Sequence, residues 1–194
     1  MESFDKLALQ RRSHRKFTAE PVSEEDRKAL LRAALLAPTG HGSRLWHFVA
    51  VTDPEKIAAL SEVRDSGSQF LAGAPLVIAV LGQPGKQQTW IEDGAIAAVT
   101  LQYQAQDLGL GSCWCQIRGR FKHIQTGTDS NMPLTAIASE PAQTVSSEQL
   151  VRQLLGIPED FSVLCLLGVG HPADEKPGHD ESALPRDQLH LNRF

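Results

Sequence analysis

The chain has 194 residues, 41% of them hydrophobic, and a formal net charge of −4, which is enough for one domain with a sizeable core of its own. There is no global basic field for nucleic acid. The longest apolar runs, such as Leu76 to Leu81, fall far short of a bilayer span, and the opening MESFDK is no signal peptide, so a cytoplasmic protein without membrane contact is expected.

An opening helix is predicted from Phe4 to about Gln10, with Phe4, Leu7 and Ala8 on one face. It runs into RRSHRKF, where Arg11, Arg12, Arg15 and Lys16 surround Ser13 and His14. Two readings stand for this cluster. It is either a solvated helix end, because cations suit a helix C-terminus, or a phosphate seat in which guanidinium forks and a hydroxyl converge on one dianion. Ser23 then caps a helix over 24–37 that stops before Pro38 and turns Leu30, Ala33, Ala34 and Ala37 inward. PTGHGSRLW follows, residues 38–46, ahead of a strand over 48–52. Its two glycines let backbone approach a ligand closely; a plain turn is the competing reading, for which Arg44 and Trp46 are costly choices.

Asp53 caps the next helix, with Pro54 in its favoured first position and Ile57, Leu60 and Val63 facing inward. After a polar turn and the short apolar piece 69–72, the strand 76–81 is apolar on both faces and belongs inside a sheet covered on two sides. Thr89 with Glu92 spells a capping box and Gly109 a left-handed stop, so a helix is predicted from Trp90 to about Leu108, roughly 28 Å long. Its polar stripe is narrow. The small residues Gly94, Ala95, Ala97 and Ala98 suit an interface that also supports a ligand site, and a simple core helix is the alternative.

GLGLGS after this helix is no dinucleotide fingerprint, because it follows a helix instead of a strand and Trp114 stands where the third glycine belongs. A short strand over 112–117 precedes the basic pair Arg118 and Arg120. Cys113 and Cys115 share one face of it and, with Cys165, read as small buried hydrophobes in place of a disulfide framework or metal site. Residues 122–146 have no period and many turn formers, as expected of a long loop insertion. Ser146 with Gln149 opens a helix through Leu155, closed by Gly156 and Pro158, and the last strand, 163–169, is apolar throughout. From about residue 173 the chain reads as a C-terminal arm, whose Leu184, Leu189, Leu191 and Phe194 suit packing across a surface such as a partner subunit's. Four strands among five or six helices predict an α+β or α/β sandwich with helices on both faces. No HExxH, P-loop or hydrolase triad order is present, so any chemistry falls to a cofactor.

RRSHRKF at 11–17, APTGHGSRLWHFVAV at 37–51, the helix ending in LGLGSCW and LGIPEDFSVLCLLGVGHP at 155–172 together resemble the flavin-dependent nitroreductase family. The resemblance covers most of the chain in the right order. It implies an α+β sandwich with a central mixed sheet between helices, one domain over 1–194, an obligate homodimer and FMN at the dimer interface. The implied activity is transfer of a hydride from NADH or NADPH through the flavin to nitroaromatic, quinone or similar acceptors, in a ping-pong cycle. Alternatives on the same scaffold are a non-catalytic FMN-binding or storage protein and a flavin-modifying enzyme.

Residue by residue, the resemblance implies that Arg11, Arg12 and Ser13 contact the flavin phosphate and ribityl chain and that Arg15 lies near the pyrimidine. It places Pro38, Thr39 and Gly40 beside the ring, and Gln116 and Ile117 near N5 through their backbone. Lys176 is the implied second phosphate cation, with Arg186 its rival. The chain departs from the family pattern at Gly42, usually Asn, at Arg44, usually Gln, and at Leu45, usually Pro. Arg44 thereby becomes a charged substitute for the lost amide contact.

Overall fold

The computed structural model describes residues 3–124 and 143–194. In chain order the helices are α1 (Phe4–Gln10), α2 (Glu24–Leu36), α3 (Pro54–Ser61), α4 (Trp90–Asp107) and α5 (Ser147–Leu155). The strands are β1 (His47–Val51), β2 (Leu76–Gly82), β3 (Gly111–Gln116), β4 (Phe121–Ile124), β5 (Gln143–Ser146) and β6 (Ser162–Gly170). Four strands form one sheet in the order β1-β2-β6-β3, and β4 and β5 form a separate ribbon.

The sheet is covered on both faces, as the two-sided apolar runs of β2 and β6 require. On β2, Leu76, Ile78 and Val80 pack with Leu30 and Ala34 of α2 and Ala98, Leu101 and Ala105 of α4. The alternate residues Val77, Ala79 and Leu81 pack with Ile57 and Leu60 of α3 and Val151 of α5. The period of two sorts one strand onto two layers. All three pairings in the sheet are antiparallel, so the expected mixed character is confined to one isolated parallel bridge between Ser13 and Ser112.

One irregularity shapes the sheet edge. Val80 faces Cys165 but Leu81 faces Val163, which leaves Leu164 as an extra residue in β6. Its carbonyl turns to the end of β3, where it accepts from the N–H groups of Ile117 at 3.3 Å and Arg118 at 3.1 Å.

Caps written by short-range chemistry form as predicted at Ser23 and Asp53, whose side chains accept from the first-turn N–H groups of α2 and α3. The boxes at Thr89 and Ser146 do not form. The Thr89 hydroxyl is instead engaged by the Gln87 amide at 2.6 Å and by Asp93 at 3.2 Å. α4 does end as predicted, with Gly109 at φ +73° and the Leu110 N–H bonded back to Ala105 O at 2.8 Å.

Three further expectations change. Residues 121–124 and 143–146, partly inside the predicted loop, pair as an antiparallel ribbon, while the stretch 125–142 lies outside the described residues. On α1 only Leu7 is buried; Phe4 stays exposed and meets Tyr103 of α4 edge-on at 5.1 Å. On the arm, Leu184, Leu189, Leu191 and Phe194 are all exposed, as are Leu35 and Leu36 of α2 and Ile96 and Val99 of α4.

Candidate functional site

The first basic cluster is held at the start of edge strand β3. The His14 N–H donates to Ser112 O at 3.0 Å, and Gly111 is needed there because a Cβ would come within 2.8 Å of His14 Cβ. The C-terminal arm folds back onto the same place. Lys176 Nζ donates to Ser13 O at 2.6 Å, Arg12 Nη1 donates to Pro177 O at 2.6 Å, and the His14 ring pairs with Asp174 at 3.0 Å. Asp174 also faces Lys176 at 3.6 Å. The hydrogen bond from His14, reinforced by the Lys176 charge, holds the Asp174 carboxyl below its ordinary range.

The Cys113 thiol reports the field of this cluster. Burial pushes it up from its ordinary range, while Arg15, the Ser13 hydroxyl, Lys176 and Arg11 pull against burial. Arg15, Lys176 and Arg11 thus act on the thiol by charge and Ser13 by a hydrogen bond, and Lys176 itself meets the Ser13 carbonyl. That donor set can hold a dianion such as a phosphate monoester. Arg186, the rival cation, instead faces Glu181 at 3.8 Å.

Gln116 and Ile117 end the same edge strand. The Gln116 carbonyl accepts from Arg64 Nη1 at 3.0 Å, and its side chain bridges Trp114 Nε1 at 2.9 Å and Arg118 O at 2.9 Å. The Ile117 N–H is engaged by Leu164 O. Arg118 places its guanidinium 6.0 Å from the Trp90 ring centroid.

The loop of residues 38–46 lies elsewhere, against the first turn of α4. Asp93, a buried carboxylate, accepts from Gly40 N at 2.8 Å through one oxygen. Its other oxygen meets Thr89 Oγ1 and, at 3.3 Å, Gln87 Nε2. A Cβ on Gly40 would stand 2.6 Å from Thr89 Oγ1, so only glycine fits the seat. Thr39 Oγ1 in turn accepts from Arg44 N at 3.2 Å, and His41 and Arg44 are both held at positive φ, +55° and +50°, a strained conformation for side-chain-bearing residues.

Apart from Gln116 and Ile117, which lie at the far end of β3, the predicted residues fall into two groups. Asp93 and Leu108, at the two ends of α4, stand about 22 Å apart by helical rise. Pro38, Thr39, Gly40 and Arg44 sit at the first end; Arg11, Arg12, Ser13, Arg15 and Lys176 sit beyond the second. One chain does not bring them together. Asp93, Gln87, Asp174 and Arg64 contact these residues, and sequence reasoning does not single them out. For Asp93 a signal existed, since it shares the buried helical face of Ala97 and Leu101.

A family model described as the nitroreductase family matches residues 8–66 and 58–171. Among solved structures, an FMN-dependent nitroreductase from Clostridium difficile R20291 superposes with a TM-score of 0.83 at 36% identity, covering 97% of this chain and 98% of that one. A protein of Archaeoglobus fulgidus, provisionally named NADH dehydrogenase/NAD(P)H nitroreductase, is 28% identical over the full length of both chains. The Bacillus subtilis FMN reductase (NAD(P)H) is 23% identical over all of this chain and 76% of its own length.

Proposed function

The chain belongs to the nitroreductase family, and from that premise we propose that it is an FMN-dependent, NAD(P)H-using oxidoreductase acting on nitroaromatic, quinone or similar acceptors. When bound, FMN supplies a ring that takes a hydride from the nicotinamide and passes two electrons to the acceptor in a ping-pong cycle. The carrying observation is the C-terminal arm folded onto the N-terminal basic cluster at the start of β3, with Lys176 Nζ on Ser13 O and Arg12 Nη1 on Pro177 O, each at 2.6 Å.

That donor set fits the cofactor's phosphate. Arg11, Ser13 and Lys176 supply charge-assisted donors that compensate a dianion for leaving water. Arg12 keeps its bond to Pro177 O and ties the arm over the cluster. Arg15 offers a positive charge to the pyrimidine side, where electron gain builds negative charge. Further along the edge, the Gln116 carbonyl is taken by Arg64 and the Ile117 N–H by the Leu164 carbonyl, so the expected backbone hydrogen bond from Ile117 to flavin N5 is not free to form in this arrangement.

We assign the homodimer a direct part in the site. The Pro38–Thr39–Gly40 segment and Arg44 are too far from the cation cluster of their own chain to share one mononucleotide with it. A second copy packed on the exposed apolar residues of α2 and α4, Leu35, Leu36, Ile96 and Val99, would offer its own loop to that cluster. Asp93 then acts through Gly40, holding the loop in position. Anaerobic titration with NADH and NADPH tests the activity: bleaching of bound flavin by either nucleotide supports it, and a flavin that neither reduces refutes it.

A further inference from the structure

The basic stretch RGRFKH at 118–123 has no assigned part in the site described above. Most of its cations are already engaged. Arg118 lies over Trp90, Lys122 faces Glu62 at 3.6 Å, and the His123 ring pairs with Asp65 at 2.5 Å. Arg120 is the exception: its guanidinium has no hydrogen-bond or ion-pair partner among the described residues. Gly119, at φ +69°, makes the tight turn that presents it.

Arg120 lines a cavity of about 230 Å³ together with Arg64, Ser66, Gly119, Asp65 and His123. The one carboxylate there is already satisfied. Asp65 accepts from the His123 N–H at 2.9 Å through one oxygen and from the His123 ring through the other. Arg64 gives Nη1 to the Gln116 carbonyl and to Cys115 Sγ and lies against Gly67, and its other guanidinium nitrogens have no hydrogen-bond partner among the described residues. The cavity therefore carries two guanidiniums and a hydroxyl in a chain whose net charge is −4. Its volume admits a phosphate or a diphosphate group, and its Arg64 touches the carbonyl of Gln116, the residue assigned to the flavin ring.

We propose that this cavity is a phosphate subsite for the reducing nucleotide, with Arg120 and Arg64 as its cations. The assignment rests on the flavin reading only in taking NADH or NADPH as the substrate. Guanidinium forks suit phosphate oxygens, and a nucleotide anchored here is placed beside the end of β3. The phosphate is either the 2′-phosphate that NADPH alone carries or the diphosphate common to both nucleotides.

The test follows the His123 ring resonance, identified by its loss in His123→Gln, during titration of FMN-treated protein with inorganic phosphate, NAD⁺ and NADP⁺. Saturable shifts with phosphate and with at least one nucleotide are expected, and Arg120→Ala should weaken them about tenfold, the loss of one charge-assisted contact. In steady state the same variant should raise KM about tenfold. A rise for NADPH alone assigns the 2′-phosphate, and equal rises for both nucleotides assign the diphosphate. Nucleotide binding and KM that are indifferent to Arg120→Ala overturn the subsite. A colourless protein defeats the flavin reading by itself, and the NADP⁺ titration still decides the subsite in that case.

Discussion

The ammonium of Lys176 donates to the main-chain carbonyl of Ser13 at 2.6 Å, joining positions 163 residues apart. This contact makes the proposed anion site a product of both ends of the chain. The N-terminal cluster provides guanidiniums and a hydroxyl, and the arm provides the ammonium together with Asp174, which orients His14.

Removing Arg11 should cost FMN affinity without touching the fold, because its backbone N–H, bonded to Leu7 O, is kept in Arg11→Ala. Loss of one charge-assisted contact to a phosphate is worth about 1.5–3 kcal/mol, or roughly a tenfold to hundredfold weaker Kd. Fluorescence titration of the apoprotein measures it, and an unchanged Kd would remove Arg11 from the site.

Arg15→Ala should act on electrons more than on affinity. A positive charge beside the pyrimidine favours the reduced, more negative flavin, so its removal should lower the two-electron potential by about 30 mV or more, the equivalent of about 1.4 kcal/mol. Spectroelectrochemistry reads the shift. A potential equal to wild type contradicts the electrostatic role.

Acid should loosen the arm. The Asp174 carboxyl is held below its ordinary value of 3.8 by the His14 hydrogen bond first, with Lys176 contributing. A depressed folded pKa means that the stabilisation is fully present above the ordinary value and is lost as pH falls through the folded one. Limited proteolysis should thus show the arm protected at pH 6 and cleaved progressively faster below about pH 4, near the ordinary carboxylate value. Asp174→Asn should be cleaved at the fast rate already at pH 6; equal protection of variant and wild type there would refute the tether.

Asp93→Ala leaves the Gly40 N–H without its acceptor and opens the seat shared by Gln87 and Thr89. The Gly40 donor is half-buried, so leaving it unpaired should cost about 1 kcal/mol, the low end of the range for an unsatisfied buried group, and lower the denaturant midpoint. Under the dimer reading, FMN affinity also falls because the loop of residues 38–46 loses its position. A variant with wild-type stability and wild-type FMN affinity would show that the clamp is dispensable.

The parts legible in the sequence are those fixed by near neighbours or by a strict period. Ser23 and Asp53 cap as read because their partners lie within three residues, and the runs of β2 and β6 announce a sheet buried on both faces. Thr89 misleads because its partners, Gln87 and Asp93, compete with the local cap and its spacing to Glu92 does not reveal them. The β4–β5 ribbon escapes because its strands have four residues each and are largely exposed. For the site, the cations of RRSHRKF were readable as a cluster, but their convergence with Lys176 is a long-range fact. Arg64 was unreadable for the same reason, since its partner carbonyl belongs to Gln116.

The most direct test of the central claim is the visible absorbance spectrum of the purified protein after incubation with FMN and removal of free flavin. The site described here predicts flavin bands that survive desalting in wild type and are diminished in Arg11→Ala. A protein that stays colourless after loading would contradict it, leaving the cation cluster at the start of β3 without its cofactor.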